Sequence, residues 1–349
     1  MTDSLRLGVM GLAHGHGPLW TQAFADNPEC ELVALYDHDA ERVGRVAQRT
    51  DTPADTDLDA FFARDLDAVA ITSEHSLHRQ HIERALDAKV AILCEKPLAT
   101  TLSDADAIVA AVERAGIRFM QGFQMRLDPA TIEVRRRVQA GGLGRIASVT
   151  KRHSHAFGLT GWPDNAEDWF FDPALSGGGA GLDALIHSCD WLRWIFGDAT
   201  EVTAMTSTHM LGREVEDQIA AVFRLPSGAL ATLVSGWTEL AGIMTTHIAG
   251  DQGAIAEFYT DIGSVRSGRP LEASVMQYLG SAQTWTTVEP PHSFPRVHEA
   301  VADAFVSCLR SGDEFPSGLH DGRQALAMVH ACYESARTGK AVKIDEGHQ

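Results

Sequence analysis

The feature that most constrains this chain is an alternation that runs through about its first 120 residues: short apolar β-rich runs separated by amphipathic helical segments. "LRLGVMG", "ELVALYD", "LDAVAITS", "VAILCEKP" and "IRFMQGF" read as strands, while "DAERVGRVAQRT", "SLHRQHIERALDAK" and "DADAIVAAVERAG" have helical spacing. Strands that are apolar throughout belong in a parallel sheet covered on both faces, so the expected architecture is a doubly wound α/β unit. Pro18 suits the first turn of a helix. Ser76 is expected to cap the helix after the third strand, and Ser103 with Asp106 forms an S-x-x-D capping signature.

Beyond "ATIEVRRRVQAGGLG" the pattern changes. "RIASVTKRHSHA", "TEVTAMTSTHM", "DQIAAVFRL", "ALATLVSGWT" and "TTHIAG" are longer strands without intervening helices, and "LPSG" between two of them is a hairpin signal. This predicts a second, mostly antiparallel open sheet in an α+β domain. We expect the doubly wound domain to span 1–124 and the α+β domain to span 125–349. The closing helices, near 296–310 and 321–338, could pack back on the first domain.

Length and composition bound the rest. The 349 residues suit two domains, and 44% hydrophobic with 22% charged residues reads as globular. A formal charge of −18 argues against nucleic acid and anionic membrane as partners. No basic leader and no long apolar run is visible, and the scattered cysteines (Cys30, Cys94, Cys189, Cys308, Cys332) lack CxxC spacing; the expected setting is the cytoplasm, with free thiols.

The turn after the first strand, "GVMGLAHGHG", sits where a doubly wound fold grips a pyrophosphate. The usual pattern is G-x-G-x-x-G; here Gly11 holds the first slot, Ala13 the second and His16 the third. Gly15 and Gly17 could permit a different path for the turn. Asp37, at the end of the second strand, is placed to accept hydrogen bonds from both ribose hydroxyls and to repel a 2′-phosphate, which favours NAD over NADP. The rival reading is a metal site at His14 and His16. One His-x-His pair lacks the further ligands zinc needs, so no metal is expected.

The fourth strand ends in "EKP", with Glu95 and Lys96 at the carboxyl end of the strand, where ligands sit in such sheets; taken alone it could equally be a surface turn. "SGGGAGLDALIHSCDWLRWIFG" then runs from three glycines into a helix carrying Asp183 and His187, four residues apart and so expected on one face. A carboxylate one turn before a histidine can orient it and raise its basicity, although an isolated pair of this kind is more often an exposed ion pair.

Together with "CEKPLATTLSDA", "DAVAITSEHSLHRQHIERAL" and the closing "SGLHDGRQALAMVHACYESARTGKAVKI", these motifs resemble the Gfo/Idh/MocA family over nearly the whole chain. The departure lies at the first turn, "GLAHGH". The resemblance implies an NAD-dependent oxidoreductase moving a hydride between nicotinamide and a carbinol carbon of a sugar, polyol or sugar derivative. It implies Lys96, Asp183 and His187 as the catalytic group, with His187 the general base. It implies a cofactor-facing set of Gly11, Ala13, His14, His16, Asp37, Ser73, His78, Glu95, Lys96 and Gln124. Substrate contacts are expected from Lys96, Arg152, His155, Trp162, Trp169, Asp183 and His187. A one-sided second sheet needs cover, so a homodimer or homotetramer is expected. Alternatives are a redox-neutral enzyme that retains NAD, or a dinucleotide- and sugar-sensing regulator. A regulator would be expected to lose the lysine or histidine, and this chain keeps both.

Overall fold

The computed structural model describes residues 4–161, 168–240, 243–260, 274–288 and 297–344. The chain divides into two compact units: Met1–Gln124 with Pro163–Gly177 and Arg296–Arg323, and Met125–Trp162 with Gly178–Pro295 and Gln324–Gln349.

In the first unit β1 (Leu5–Met10), β2 (Cys30–Tyr36), β3 (Ala54–Asp55), β4 (Ala68–Ile71), β5 (Ala91–Cys94) and β6 (Phe119–Gln121) form one parallel sheet in the order β3-β2-β1-β4-β5-β6. The strand order reverses between β1 and β4, the switch point at which doubly wound sheets take their ligands. Val9, Met10, Ala68 to Ile71 and Ile92 to Cys94 are buried, as strands covered on both faces must be. Helix Gly17–Asp26 opens with Pro18 in its first turn. Helix Val297–Ser311, some 280 residues later in the chain, packs on it: Phe24 meets Phe305 edge-on at 6.4 Å, and Asn27 donates to Asp303 at 2.8 Å.

Two expected caps are displaced. The segment after β4 makes a 3₁₀ turn, His75–Leu77, before helix His78–Ala88, and no side chain, Ser76 included, caps that helix. Helix Leu102–Ala115 is capped two residues before the expected Ser103/Asp106 pair. Thr101 Oγ1 accepts from Asp104 N at 3.1 Å and donates to its carboxylate at 2.8 Å, leaving Asp106 to receive Arg323 Nε at 2.9 Å. The hydroxyl that wins is the one on the last extended residue, because only there can it reach the free N–H groups of the first turn.

In the second unit, the described residues form a nine-stranded sheet. It comprises β7 (Ile146–Ser154), β8 (Glu201–Ser207), β9 (Gln218–Arg224), β10 (Leu230–Gly236), β11 (Ile243–Gly250), β12 (Gly253–Thr260), β13 (Ser274–Leu279), β14 (Thr284–Val288) and β15 (Val342–Lys343). The order is β14-β13-β12-β11-β7-β10-β9-β8-β15, antiparallel except where β7 and β10 run parallel. The "LPSG" hairpin is present between β9 and β10. Along β9 the odd positions Ile219, Ala221 and Phe223 are buried and Gln218, Ala220, Val222 and Arg224 are exposed, the signature of a sheet packed on one face. No described helix is long and apolar enough to cross a membrane. Four cysteines are buried, Cys308 is half-buried, and all five are free thiols.

Candidate active site

The switch point of the first unit is built from three strand ends. After β1, Gly11 adopts φ +77°, donates to Tyr36 O at 2.7 Å and lies so close to Ser73 that a side chain there would overlap it. Only glycine fits that turn. The helix–strand packing that the third glycine of a dinucleotide turn normally serves has moved one residue on, to Gly17, where a Cβ would come within 2.8 Å of Thr72 Oγ1 and 3.3 Å of Leu12 Cα. His16 can therefore occupy the usual third slot without opening the helix–strand contact. Ala13 is buried, and its carbonyl accepts Trp169 Nε1–H at 3.1 Å.

Asp37 is fully buried. Its carboxylate accepts from Leu12 N at 2.6 Å and Asp39 N at 2.9 Å, and Arg42 Nη1 stands 3.1 Å from both oxygens and 3.3 Å from Glu74. The carboxylate thus braces the turn as well as standing at the expected ribose position.

After β4, Ser73 Oγ meets His81 Nδ1 at 2.8 Å, and burial pushes the His81 imidazole down to about 3. His78 lies between the β4 and β5 turns. It is fully buried, with Nδ1 2.8 Å from Pro97 O and Nε2 3.2 Å from Ser73 O, so it ties the β4 turn to the β5 turn. Burial lowers its pKa. After β5 come Glu95 and Lys96, both buried, with a cis Lys96–Pro97 bond. Gln121 Nε2 donates to the carbonyls of Cys94 and Glu95, each at 3.0 Å, and so holds this strand end. Burial pushes Glu95 up to about 7, offset only in part by Lys96 and His298. Gln124 is buried at the end of the same unit.

Trp169 was expected among the substrate contacts. Its ring is instead buried, stacked on Phe170 at 3.9 Å and edge-on to His75 at 4.8 Å, and its N–H is spent on Ala13; it props the dinucleotide turn. Trp162 lies outside the described residues.

The second unit gathers its own cluster. Asp183 does not share a regular α-helix with His187: Gly181–Leu185 is a π turn, closed by an Ile186 N–H to Gly181 O bond, before helix Ile186–Phe196 begins. A π turn is wider than an α turn. Asp183 Oδ2 accepts Trp237 Nε1–H at 2.8 Å and lies 3.5 Å from His155 Nε2. His187 stacks on His153, centroids 5.4 Å apart at 22°.

Arg152 departs from its expected role. Alternation along β7 buries Val149, Lys151 and His153 and turns Arg152 to the exposed face, where it pairs with Glu239 at 2.7 Å. The turn before the π segment is held by Glu216, which accepts from Gly179 N (3.0 Å), Gly181 N (2.7 Å) and Tyr333 Oη (2.7 Å). A Cβ at Gly179 would overlap the Glu216 carbonyl oxygen, which accounts for the glycine run. Trp237, Glu216 and Tyr333 were not singled out from sequence; each reaches the site across dozens of residues, and no local spacing marks them.

A doubly wound dinucleotide unit with its glycine turn at the switch point, joined to an α+β unit that carries histidines and a buried aspartate, defines a two-part nucleotide-binding enzyme class. Residues 5–123 match the oxidoreductase family's NAD-binding Rossmann fold, and residues 131–256 match the GFO/IDH/MocA C-terminal domain. The chain belongs to this oxidoreductase family. It is 29% identical to a D-xylose 1-dehydrogenase (NADP⁺) from Haloferax volcanii, covering 98% of this chain and 100% of the relative. It is 27% identical to an inositol 2-dehydrogenase from Rubrobacter xylanophilus, covering 99% and 94%. Among solved structures it is similar to the glycerol complex of aldose-aldose oxidoreductase from Caulobacter crescentus, with a TM-score of 0.82, 28% identity, and 98% and 100% coverage.

Proposed function

We propose that this protein is an NAD-dependent dehydrogenase or reductase acting on a carbinol or carbonyl carbon of a sugar, cyclic polyol or sugar derivative. The observation that carries this is the convergence of Gly11, Ser73 and Glu95–Lys96 at the carboxyl ends of β1, β4 and β5, beside the reversal of strand order. The residues fit a dinucleotide: Gly11 makes a tight left-handed turn against Ser73 that no side chain at that position could follow, and Asp37, Glu74 and Asp39 surround the single guanidinium of Arg42. Three carboxylates against one cation leave that end negative, which disfavours a 2′-phosphate and supports NAD over NADP.

Bound nicotinamide supplies the hydride acceptor or donor. In the oxidative direction His187 takes the hydroxyl proton, and Lys96 hydrogen-bonds the same oxygen as negative charge develops on it. Asp183, held by Trp237, orients the substrate or the neighbouring His155. General acid–base help of this kind contributes about 10²–10⁴-fold, with positioning and electrostatics supplying the remainder. The exposed face of the second sheet carries Met205, Val222, Leu230 and Phe258, an apolar surface that suits a homodimer or a dimer of dimers; light scattering at micromolar concentration reads this directly.

The test follows NADH absorbance with NAD and NADP against a panel of aldoses, anhydrosugars and inositols. Turnover with NAD that falls by about 10²–10⁴ in kcat for His187→Ala and Lys96→Ala supports the reading. Turnover unchanged by both substitutions sinks the assignment, and turnover with NADP alone sinks the cofactor preference.

A further inference from the structure

The histidines of the first turn find, in the fold, the third ligand that the sequence did not show beside them. His14 and His16 come from the turn after β1 and Glu95 from the turn after β5. One ligand atom from each lies within 4.8 Å of the others, and all three side chains are buried. We propose that His14, His16 and Glu95 bind one divalent cation of the zinc class at the dinucleotide turn.

The geometry and the donor chemistry both favour a cation. Zinc–nitrogen and zinc–oxygen bonds of about 2.0–2.2 Å put neighbouring ligands of a tetrahedral site roughly 3.3–3.5 Å apart. His16 Nδ1 and Glu95 Oε2 already stand 3.2 Å apart, so that edge is formed. Neither Glu95 oxygen accepts a well-formed hydrogen bond from the described residues. A carboxylate so deeply buried is costly unless a cation or a set of donors compensates it, and a divalent ion does so with a single ligand bond.

Two histidines and a glutamate are a donor set that zinc accepts while keeping a fourth position open. In this turn that position suits a water or an anionic oxygen. The surroundings limit which further groups can join. His298, whose ring centroid is 4.4 Å from that of His16, has its Nδ1 occupied by Trp20 Nε1–H at 3.2 Å. His75 directs Nδ1 to Ser176 O at 2.9 Å.

His14 is the ligand that must move most. Its Nδ1 receives the His16 backbone N–H at 3.1 Å, and binding exchanges that hydrogen bond for a metal–nitrogen bond, by exchange at Nδ1 or by turning the ring. His16 and Glu95 therefore form the stronger edge of the site and His14 the weaker corner. Substitutions at the first two cost more affinity than one at His14.

The experiment uses the full-length protein freed of metal with EDTA and of dinucleotide, then loaded with zinc and desalted. Zinc content, the visible ligand-field spectrum after cobalt substitution, and NADH binding by tryptophan quenching are read on the same samples. The expected result is one zinc per chain, a four-coordinate cobalt spectrum and a higher Tm of the wild type with zinc than without. His16→Ala and Glu95→Gln should each weaken zinc binding more than tenfold and His14→Ala less, while His209→Ala, at an exposed site, retains full zinc. Zinc that is not retained by the wild type, or is retained equally by all four variants, overturns the proposal. NADH binding in those same samples shows that only the metal site, and not the dinucleotide reading, has failed.

Discussion

Two buried glutamates, one in each compact unit, carry the same charge into opposite surroundings. Glu216 holds the glycine run of the second unit and is matched by three donors: Gly179 N, Gly181 N and Tyr333 Oη. Glu95 ends β5 in the first unit with neither oxygen holding a well-formed hydrogen bond from the described residues; His16 Nδ1 stands 3.2 Å away, and Lys96 and His298 act on it electrostatically. Burial raises both carboxyls; at Glu216 the donors pull it back, whereas Glu95 is carried up to about 7. The first carboxylate is a structural keystone, complete within the protein. The second is the carboxylate at which the cation site is proposed. A buried polar group with all its partners specifies a shape, and one without them calls for an explanation such as a bound ion or water.

The largest test of that contrast exchanges the two. Glu216→Ala strands three buried donors and should cost about 3 kcal/mol or more in urea unfolding, at about 1–3 kcal/mol per unsatisfied group. Glu95→Gln in metal-free protein should cost clearly less at pH 8, because Lys96 and His298 offset only part of the cost of burying that charge, and the amide removes it. Equal destabilisation by both would erase the distinction.

Next comes acid. His81 is held near 3 in the folded chain against an ordinary value of 6.5, so the unfolded state binds more protons between those limits. Its contribution to stability is present above pH 6.5 and is lost as pH falls toward 3. His81→Gln should flatten that limb of the stability profile while leaving the profile above pH 7 parallel to wild type.

A smaller effect is expected at the prop of the dinucleotide turn. Trp169→Phe keeps the stacking on Phe170 but loses the bond to Ala13 O, worth about 1 kcal/mol, and should weaken NADH binding several-fold by calorimetry. Smallest of all, Arg152→Ala breaks an exposed pair with Glu239 and should change stability by less than about 0.5 kcal/mol and leave KM unchanged. A large rise in KM would return Arg152 to the substrate site.

The first sheet was legible because a parallel sheet buried on both faces must be written in continuous apolar strands, and helices must alternate with them. The β7–β11 segment and the β9–β10 hairpin were legible for the same local reason. The short β3 strand and β12 to β14 were not named, since two residues or a weakly alternating run leave little periodic signal. Caps moved by a residue or two because a hydroxyl's reach depends on the residue's own backbone angles.

Local order along the chain thus determined the doubly wound unit, the glycine turn, Asp37 at the end of β2 and the EKP end of β5. Tertiary structure alone decided which side chains meet. Asp183 meets Trp237 and His155, the pleat of β7 turns Arg152 away from His153, and Glu95 joins His14 and His16 from some 80 residues away. Periodicity records which face of an element is apolar. It holds no information on which distant polar groups will share a buried space, because their pairing is set by long-range packing and by the need to satisfy every buried charge.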